Sequence, residues 1–390
     1  MTKSDIMELR RRFTKEGCTF TKMGCCYVNH KKEKVVTSSE TFLNLEEEEF
    51  YKYLEIAKKA TSGKLGNNLL ELEFPIKEEQ SDGKQTFLMG LKQSKLTNED
   101  LLERLYDLII ENYYYVGNYL ILVFHDAYDV MTKTTDNRTL DESEEVYEYL
   151  VAAICPVTLS KPGLGYIEEE NRIGARIRDW IVSAPENGFV FPGFSNRSSD
   201  VHSLLYYTKN PKNPKPEFME EGLGCKRKQT TTEQKKVFQD ILEDNLGEAQ
   251  EETIKQIHQN LNQRMITQAE QNEQVESMVL NQQILNEVLE ECGVSKEVVP
   301  KIEENYKKNF LGDTPVIDAV LDKKIVKKIE ESQTKKHMDA IRNYDIVLQM
   351  KPEKEEEVSS QVIDGKRCLV IPIKENEYAS INGNEMIVES

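Results

Sequence analysis

The sequence predicts an α+β protein: an N-terminal mixed α/β domain, a central helical region and a small C-terminal antiparallel β unit. Three observations carry this. Continuously apolar runs of strand length, above all Tyr119 to Phe124, fall in the first part. From Thr230 to about residue 340, apolar residues recur at helical spacing. Beyond that the period returns to two, and Asp364-Gly365 separates two strand-like segments as a hairpin turn would. The expected divisions are 1–215, 216–340 and 341–390. The first is marked by Asn210-Pro211-Lys212-Asn213-Pro214-Lys215-Pro216, whose prolines fix φ and hold the preceding residues extended.

Taken in order, Cys18 to Val28 and Val35-Val36 flank the polar turn Asn29-His30-Lys31-Lys32, which reads as a hairpin. A helix follows, with Glu46 to Glu49 at its start, Lys58-Lys59 at its end and Phe50, Tyr53, Leu54 and Ala57 on one face. Both charge placements suit the helix dipole. A second helix is expected from Thr97, with Asp100 in capping-box position and Leu101, Leu105, Leu108 and Ile109 as its stripe. Tyr119–Phe124 and Leu150–Val157 are buried strands, and the acidic stretch Thr132–Glu145 between them reads as a surface loop. Arg176–Val182 is expected to be a short helix. Gly188–Phe194 reads as a strand in which Pro192 marks an edge or a bulge, and Leu204–Tyr207 as another.

Thr230 and Glu233 fit a capping box ahead of Val237, Phe238, Ile241 and Leu242. Residues 256–286 are rich in Gln and Asn, which suits either an exposed helix or an interaction helix or dimerisation coil. A helix from Thr314-Pro315 is expected to present Ile317, Val320, Leu321, Ile325 and Ile329 on one face. Tyr344–Met350 alternates as a strand, and Asn382-Gly383 sits in a second possible hairpin, Tyr378–Ile387.

With 51 Lys and Arg against 69 Asp and Glu, the formal net charge is −18. This disfavours general affinity for nucleic acid, whose phosphates must be neutralised by basic side chains. Two basic triplets, Arg10-Arg11-Arg12 and Lys226-Arg227-Lys228, are the candidates for nucleic-acid or ribosome contact. No apolar run reaches the length of a membrane span, and Met1–Arg12 lacks the apolar core of a secretory signal. The seven cysteines form no spaced framework, so free thiols in a reducing cytoplasm are expected.

The best candidate for chemistry is His125-Asp126 with Asp129, directly after the clearest strand, where α/β sheets often place ligands. Asn196, Arg197, Asp200 and His202 follow another strand. If the two strand ends met, His125, Asp126, Asp129, Asp200 and His202 could do acid–base work. His125, Asp126, Asp200 and His202 could then hold a divalent metal. The group Cys18, Cys25, Cys26 and His30 is less suited, because adjacent cysteines in a strand point to opposite faces. The loops Gly63–Asn68 and Ser160–Gly165 contain glycines but match no phosphate-binding fingerprint. No cofactor is expected.

Arg12-Phe13-Thr14 with Cys18, Gly24 to Val28, and Asn68-Leu69-Leu70 with Glu73-Phe74-Pro75 form one set of segments. Ile154 to Val157 with Leu159 to Leu164, Arg178-Asp179-Trp180, Gly188-Phe189 with Phe191-Pro192, and Asp200 to Tyr207 form another. In these segments the chain resembles a bacterial family, domain of unknown function 4317. The resemblance is dense over about residues 10–225 and thinner beyond. It implies a bacterial cytoplasmic protein and brings no activity or catalytic residue with it.

The resulting expectation is a non-enzymatic binding or regulatory protein that engages a protein partner, or itself, through residues 230–340 and the terminal β unit. The alternatives are a hydrolase built on the strand-end His and Asp residues, and a nucleic-acid or ribosome-associated factor.

Overall fold

The structure is a computed structural model that describes residues 1–133, 139–247, 251–271, 277–329, 331–332, 350, 354, 357–373, 379–381 and 384–386. Residues Met1–Asp322 form one compact unit and Lys323–Ser390 a second.

The first unit opens with α1 (Lys3–Arg12), started by a capping box in which Thr2 and Asp5 satisfy each other's backbone N–H groups. There follow β1 (Lys22–Val28), β2 (Lys34–Thr41), α2 (Glu47–Ala60), β3 (Leu69–Glu73), α3 (Lys84–Gln93) and α4 (Glu99–Asn112). Asn98 caps α4 by accepting from Leu101 N, one residue later than the expected Thr97. The long pair β4 (Asn118–Lys133) and β5 (Thr139–Leu159) comes next. Then come β6 (Leu164–Ile167), β7 (Arg172–Ala175), β8 (Trp180–Val182), β9 (Asn187–Phe191), β10 (Gly193–Ser195), β11 (Ser198–Asp200) and β12 (Ser203–Thr208).

Antiparallel pairing gives one sheet in the order β2-β1-β4-β5-β9-β12-β3, with β8 joined to the end of β5. Side chains alternate across it. Tyr119, Ile121 and Val123 of β4 face a core closed by Phe87, Leu91, Leu105 and Ile109 of α3 and α4. Leu120, Leu122 and Phe124 face a second core closed by Ile6 and Leu9 of α1 and Leu54 and Ala57 of α2. Burial on both faces explains why Tyr119–Phe124 is continuously apolar.

Several sequence expectations are corrected. Thr132–Glu145 was expected to be a loop, but its described residues belong to the β4–β5 ribbon, with Val130 opposite Glu145 and Lys133 opposite Thr139. A two-stranded ribbon tolerates a polar composition that an interior strand would not. Arg176–Val182 is not a helix: β8 takes up its last three residues, pairing Trp180, Ile181 and Val182 with Leu159, Thr158 and Val157. Strand pairing suits this β-branched and aromatic run. The strand expected at Gly188–Phe194 is split at Pro192, between interior strand β9 and β10.

The helices α5 (Thr231–Leu246), α6 (Glu251–Gln271), α7 (Gln282–Glu291), α8 (Val299–Asn309) and α9 (Ile317–Val320) complete this unit. The capping box at Thr230 and Glu233 forms as expected. The Gln/Asn-rich α6 is no bare polar helix, because Ile254, Ile257, His258 and Leu261 are buried. The helix expected from Thr314-Pro315 is reduced to α9. It breaks at Leu321-Asp322, where Asp322 N donates to His258 Nδ1 (3.3 Å), and residues 323–329 start a new helix.

The second unit contains β13 (Ser359–Ile363), β14 (Lys366–Val370), β15 (Ala379–Ile381) and β16 (Asn384–Met386), in two hairpins. Asp364 and Gly365 have φ of 49° and 75°, the paired positive values of a type I′ turn. The strand expected at Tyr344–Met350 and the turn Asn382-Gly383 lie outside the described residues, except for Met350.

Candidate functional site

The strand-end residues are positioned by β4, which runs on past Phe124 instead of ending there. His125 and Asp126 are therefore consecutive strand residues and face opposite sides of the sheet. Both are fully buried. Thr21 Oγ1 lies 2.7 Å from His125 Nδ1. Burial lowers the His125 pKa, with Glu148 pulling the other way.

Asp126 faces α1. Its carboxylate accepts from the Thr19 hydroxyl (2.5 Å), the Tyr149 hydroxyl (2.5 Å), Ala127 N (2.9 Å) and the Arg12 guanidinium (3.3 Å). Arg12 also donates to Thr19 and lies over the Tyr128 ring, 4.1 Å from its centroid. Burial works against the Arg12 charge, but Tyr149 and Asp126 outweigh it and hold the guanidinium pKa above its ordinary value. Burial and then Asp126 push the Tyr149 hydroxyl well above the usual range. A carboxylate holding four donors has its lone pairs committed, so this arrangement fixes α1 to the sheet rather than offering a free base.

Around it, Tyr128 donates to Glu8 (2.7 Å), and Arg197 donates to Glu8 (3.1 Å) and to Met131 O (2.6 Å). The β10–β11 hairpin is thus tied to α1. Asp129 is exposed on the β4–β5 ribbon, and Asn196 and Arg197 adopt the positive φ of the hairpin turn. Asp200 accepts from His202 N (3.1 Å) and Ser203 Oγ (2.5 Å), closing the corner into β12. His202 is exposed, and a 2.7 Å hydrogen bond between its Nδ1 and Glu79 raises its pKa. The five expected residues therefore do not make one set: His125 lies on one face of the sheet, Asp126 beneath α1, and His202 with Glu79 at the surface. Among the described residues, no three His, Cys, Asp or Glu side chains are grouped to hold a metal ion.

The other candidates also have structural occupations. Of the first basic triplet only Arg11 is exposed, Arg10 is half-buried, and Arg12 is spent on Asp126. In the second, Lys226 pairs with Glu73 (3.6 Å) and Arg227 with Glu233 (3.8 Å). Gly66 O and Asn67 Oδ1 accept from Thr231 and Thr232, so the Gly63–Asn68 loop docks the start of α5. All seven cysteines are free, and Cys25 and Cys26 face different cores.

The feature that stands out is one the sequence reading missed. Past Leu159 and before Trp180 the chain leaves the sheet as a two-stranded arm. Ser160 N donates to Asp179 O, Arg176 N to Gly163 O, and β6 then pairs with β7. Opposed Leu164 and Ala175, and opposed Tyr166 and Ile173, share one face; Gly165 and Gly174 lie on the other. On the apolar face Leu164 is 78%, Tyr166 62% and Ile173 65% exposed, and at the root Trp180 is 58% exposed. The alternation Leu164-Gly165-Tyr166-Ile167 was the available signal. Its exposure was not legible, since apolar alternation ordinarily marks a buried face.

Among the described residues, no helix is long and apolar enough to cross a membrane. The family model described as Domain of unknown function (DUF4317) matches residues 1–384. No curated protein matches the sequence.

Proposed function

We propose a binding function for this chain, which belongs to the domain of unknown function 4317 family: it engages a protein partner, without chemistry of its own, through the apolar face of the arm. The observation that carries this reading is the exposed set Leu164, Tyr166 and Ile173 on one face of the arm, with Trp180 exposed at its root. An isolated two-stranded hairpin is marginal in water, and contiguous exposed apolar surface on a folded protein marks a contact site. Aromatic residues on such a face are the usual anchors of protein interfaces.

Beside the arm's root lies an open groove of about 470 Å³, with Tyr53, Ile56, Leu120, Val182, Ala184 and Pro185 among its lining residues. The helical region, also expected from sequence to make contacts, turns Phe238, Leu242, Leu261, Leu285, Leu289 and Ile302 inward. The saturated Asp126 and the separation of His125 from it favour binding over hydrolysis.

The test is quantitative affinity capture of the full chain, tagged and expressed at its natural level, with untagged copies counted among the partners. Ile173→Asp is expected to reduce recovery of specific partners about tenfold or more, whereas Gln259→Ala on α6 leaves it unchanged. A partner profile that Ile173→Asp does not alter contradicts this reading.

A further inference from the structure

β2 and β3 are the two ends of the strand order in the large sheet, and they are finished differently. At the β3 edge the chain closes itself. Thr208 N donates to Asn68 O and Phe74 N to His202 O, so the alternation of an antiparallel ladder turns the backbone groups of Leu69, Glu71 and Glu73 away from β12. Leu69 N donates to Lys64 O (3.2 Å), Leu69 O accepts from Gly66 N (2.8 Å), and Glu73 O accepts from Lys226 N (2.9 Å).

At the other edge β2 pairs with β1 alone. Phe42 N donates to Thr21 O, which continues the register that sets Thr41 opposite Lys22. The same alternation directs the backbone groups of Val36, Ser38 and Glu40 to β1 and leaves the N–H and C=O of Thr37, Ser39 and Thr41 pointing outward. Among the described residues, none of these outward groups has a backbone partner. Edge strands are ordinarily blunted by bulges, charge or cover. β2 has a register shift only near its start, where Lys34 is also held by Glu103 (2.6 Å) and Asp107 (2.8 Å). Beyond it Val36 is 55% exposed, and only Ser38 is half-buried.

A row of outward N–H and C=O groups at strand spacing is matched by an extended polypeptide, which adds to it as a further strand. The side chains select the sequence. Val36, Ser38 and Glu40 stand opposite Tyr27, Cys25 and Met23 and so share the face covered by α2. Val36 offers apolar surface, and Glu40 is an exposed carboxylate without an ion pair among the described residues. Opposite charges attract across a strand pair and like charges repel. A segment with an apolar residue and a basic residue four positions apart meets both, and an acidic segment is turned away.

We propose that the β2 edge binds an extended segment of another protein, added antiparallel like the other pairs of this sheet, with Lys or Arg opposite Glu40 and an apolar residue opposite Val36. This surface is not the arm, and it is a second contact beyond the one proposed above.

The experiment is fluorescence anisotropy of a labelled peptide, acetyl-Thr-Lys-Thr-Val-Thr-Val-Thr-amide, titrated with the full chain. In the antiparallel register its Lys meets Glu40 and its second Val meets Val36. Saturable binding is expected. N-methylation of the second and third Thr, which stand opposite Ser39 and Thr37, removes the donors that face β2 and is expected to abolish binding. Ser39→Pro removes an outward donor and spares the bonds to β1, and is expected to weaken binding about tenfold or more. Glu40→Lys is expected to weaken it about threefold and to restore it for the peptide that carries Glu in place of Lys. Glu40 is exposed, so this variant retains the fold, and the restored binding verifies it. Ile173→Asp is expected to leave binding of the peptide unchanged.

A wild-type chain that does not bind the peptide overturns the proposal. So does binding that survives N-methylation or Ser39→Pro, which would mean that backbone pairing is not the contact. Binding lost in Ile173→Asp would put the peptide on the arm and overturn it as well. A chain that dimerises in sedimentation velocity, with the dimer lost in Ser39→Pro, would make a second copy the occupant and overturn the assignment to another protein.

Discussion

Asp126→Ala is expected to remove about 3–5 kcal/mol of folding stability, the cost of leaving a buried partner charge uncompensated. Asp126 is fully buried and Arg12 mostly so, with 3.3 Å between them. Truncation strands the guanidinium and removes the acceptor of the Tyr149 hydroxyl, which is fully buried and cannot reach water without opening the contact between α1 and the sheet. Replacing both charges by apolar residues, Arg12→Met with Asp126→Leu, is expected to cost much less, because no buried charge is then left alone. Urea unfolding of the two variants checks this. Equal losses in both would mean that packing volume, and not the charge pair, holds α1 in place.

The second large effect is a pH dependence. His258 lies buried in the helical part of the first unit, with its Nε2 3.1 Å from Gln239 Oε1 and its Nδ1 accepting from Asp322 N. Burial pushes its pKa down to about 4, opposed by Asp322 and assisted by Lys235. In the unfolded chain the imidazole titrates near its ordinary value of about 6.5. Between these values the unfolded state binds the proton and the folded state does not, so stability falls as pH falls from about 6.5 towards 4. The loss approaches about 3 kcal/mol. His258→Gln, which keeps a donor and an acceptor but cannot titrate, is expected to remove that part of the slope. An unchanged slope in the variant would show that other groups carry it.

What was legible in the sequence was local. The Thr230–Glu233 capping box, the Asp364-Gly365 turn and the doubly buried strand Tyr119–Phe124 each depend on residues within one element, and each forms. What was not legible depends on partners far along the chain. Ending the strand at Phe124 made His125 and Asp126 look like the mouth of a site. Pairing with Leu150 and Tyr149 of β5 continues the strand and sends the two side chains to opposite faces. Likewise Ile177 to Val182 lies at a boundary of local propensity, and pairing with Val157–Leu159 decides it. The apolar residues of the arm look like core in sequence, because exposure is a property of the folded chain alone.

The most direct test of a covered arm is hydroxyl-radical footprinting of Tyr166 and Trp180, comparing the chain at its natural level inside cells with the Ile173→Asp variant. Both rings are mostly exposed on the isolated chain. Engagement of the arm predicts that they are several-fold less oxidised in the wild type than in the variant, while exposed Leu43, which follows the strand end paired through Lys22 with His125, is labelled equally in both. Equal labelling of Tyr166 and Trp180 in the two chains would contradict a binding function for this surface.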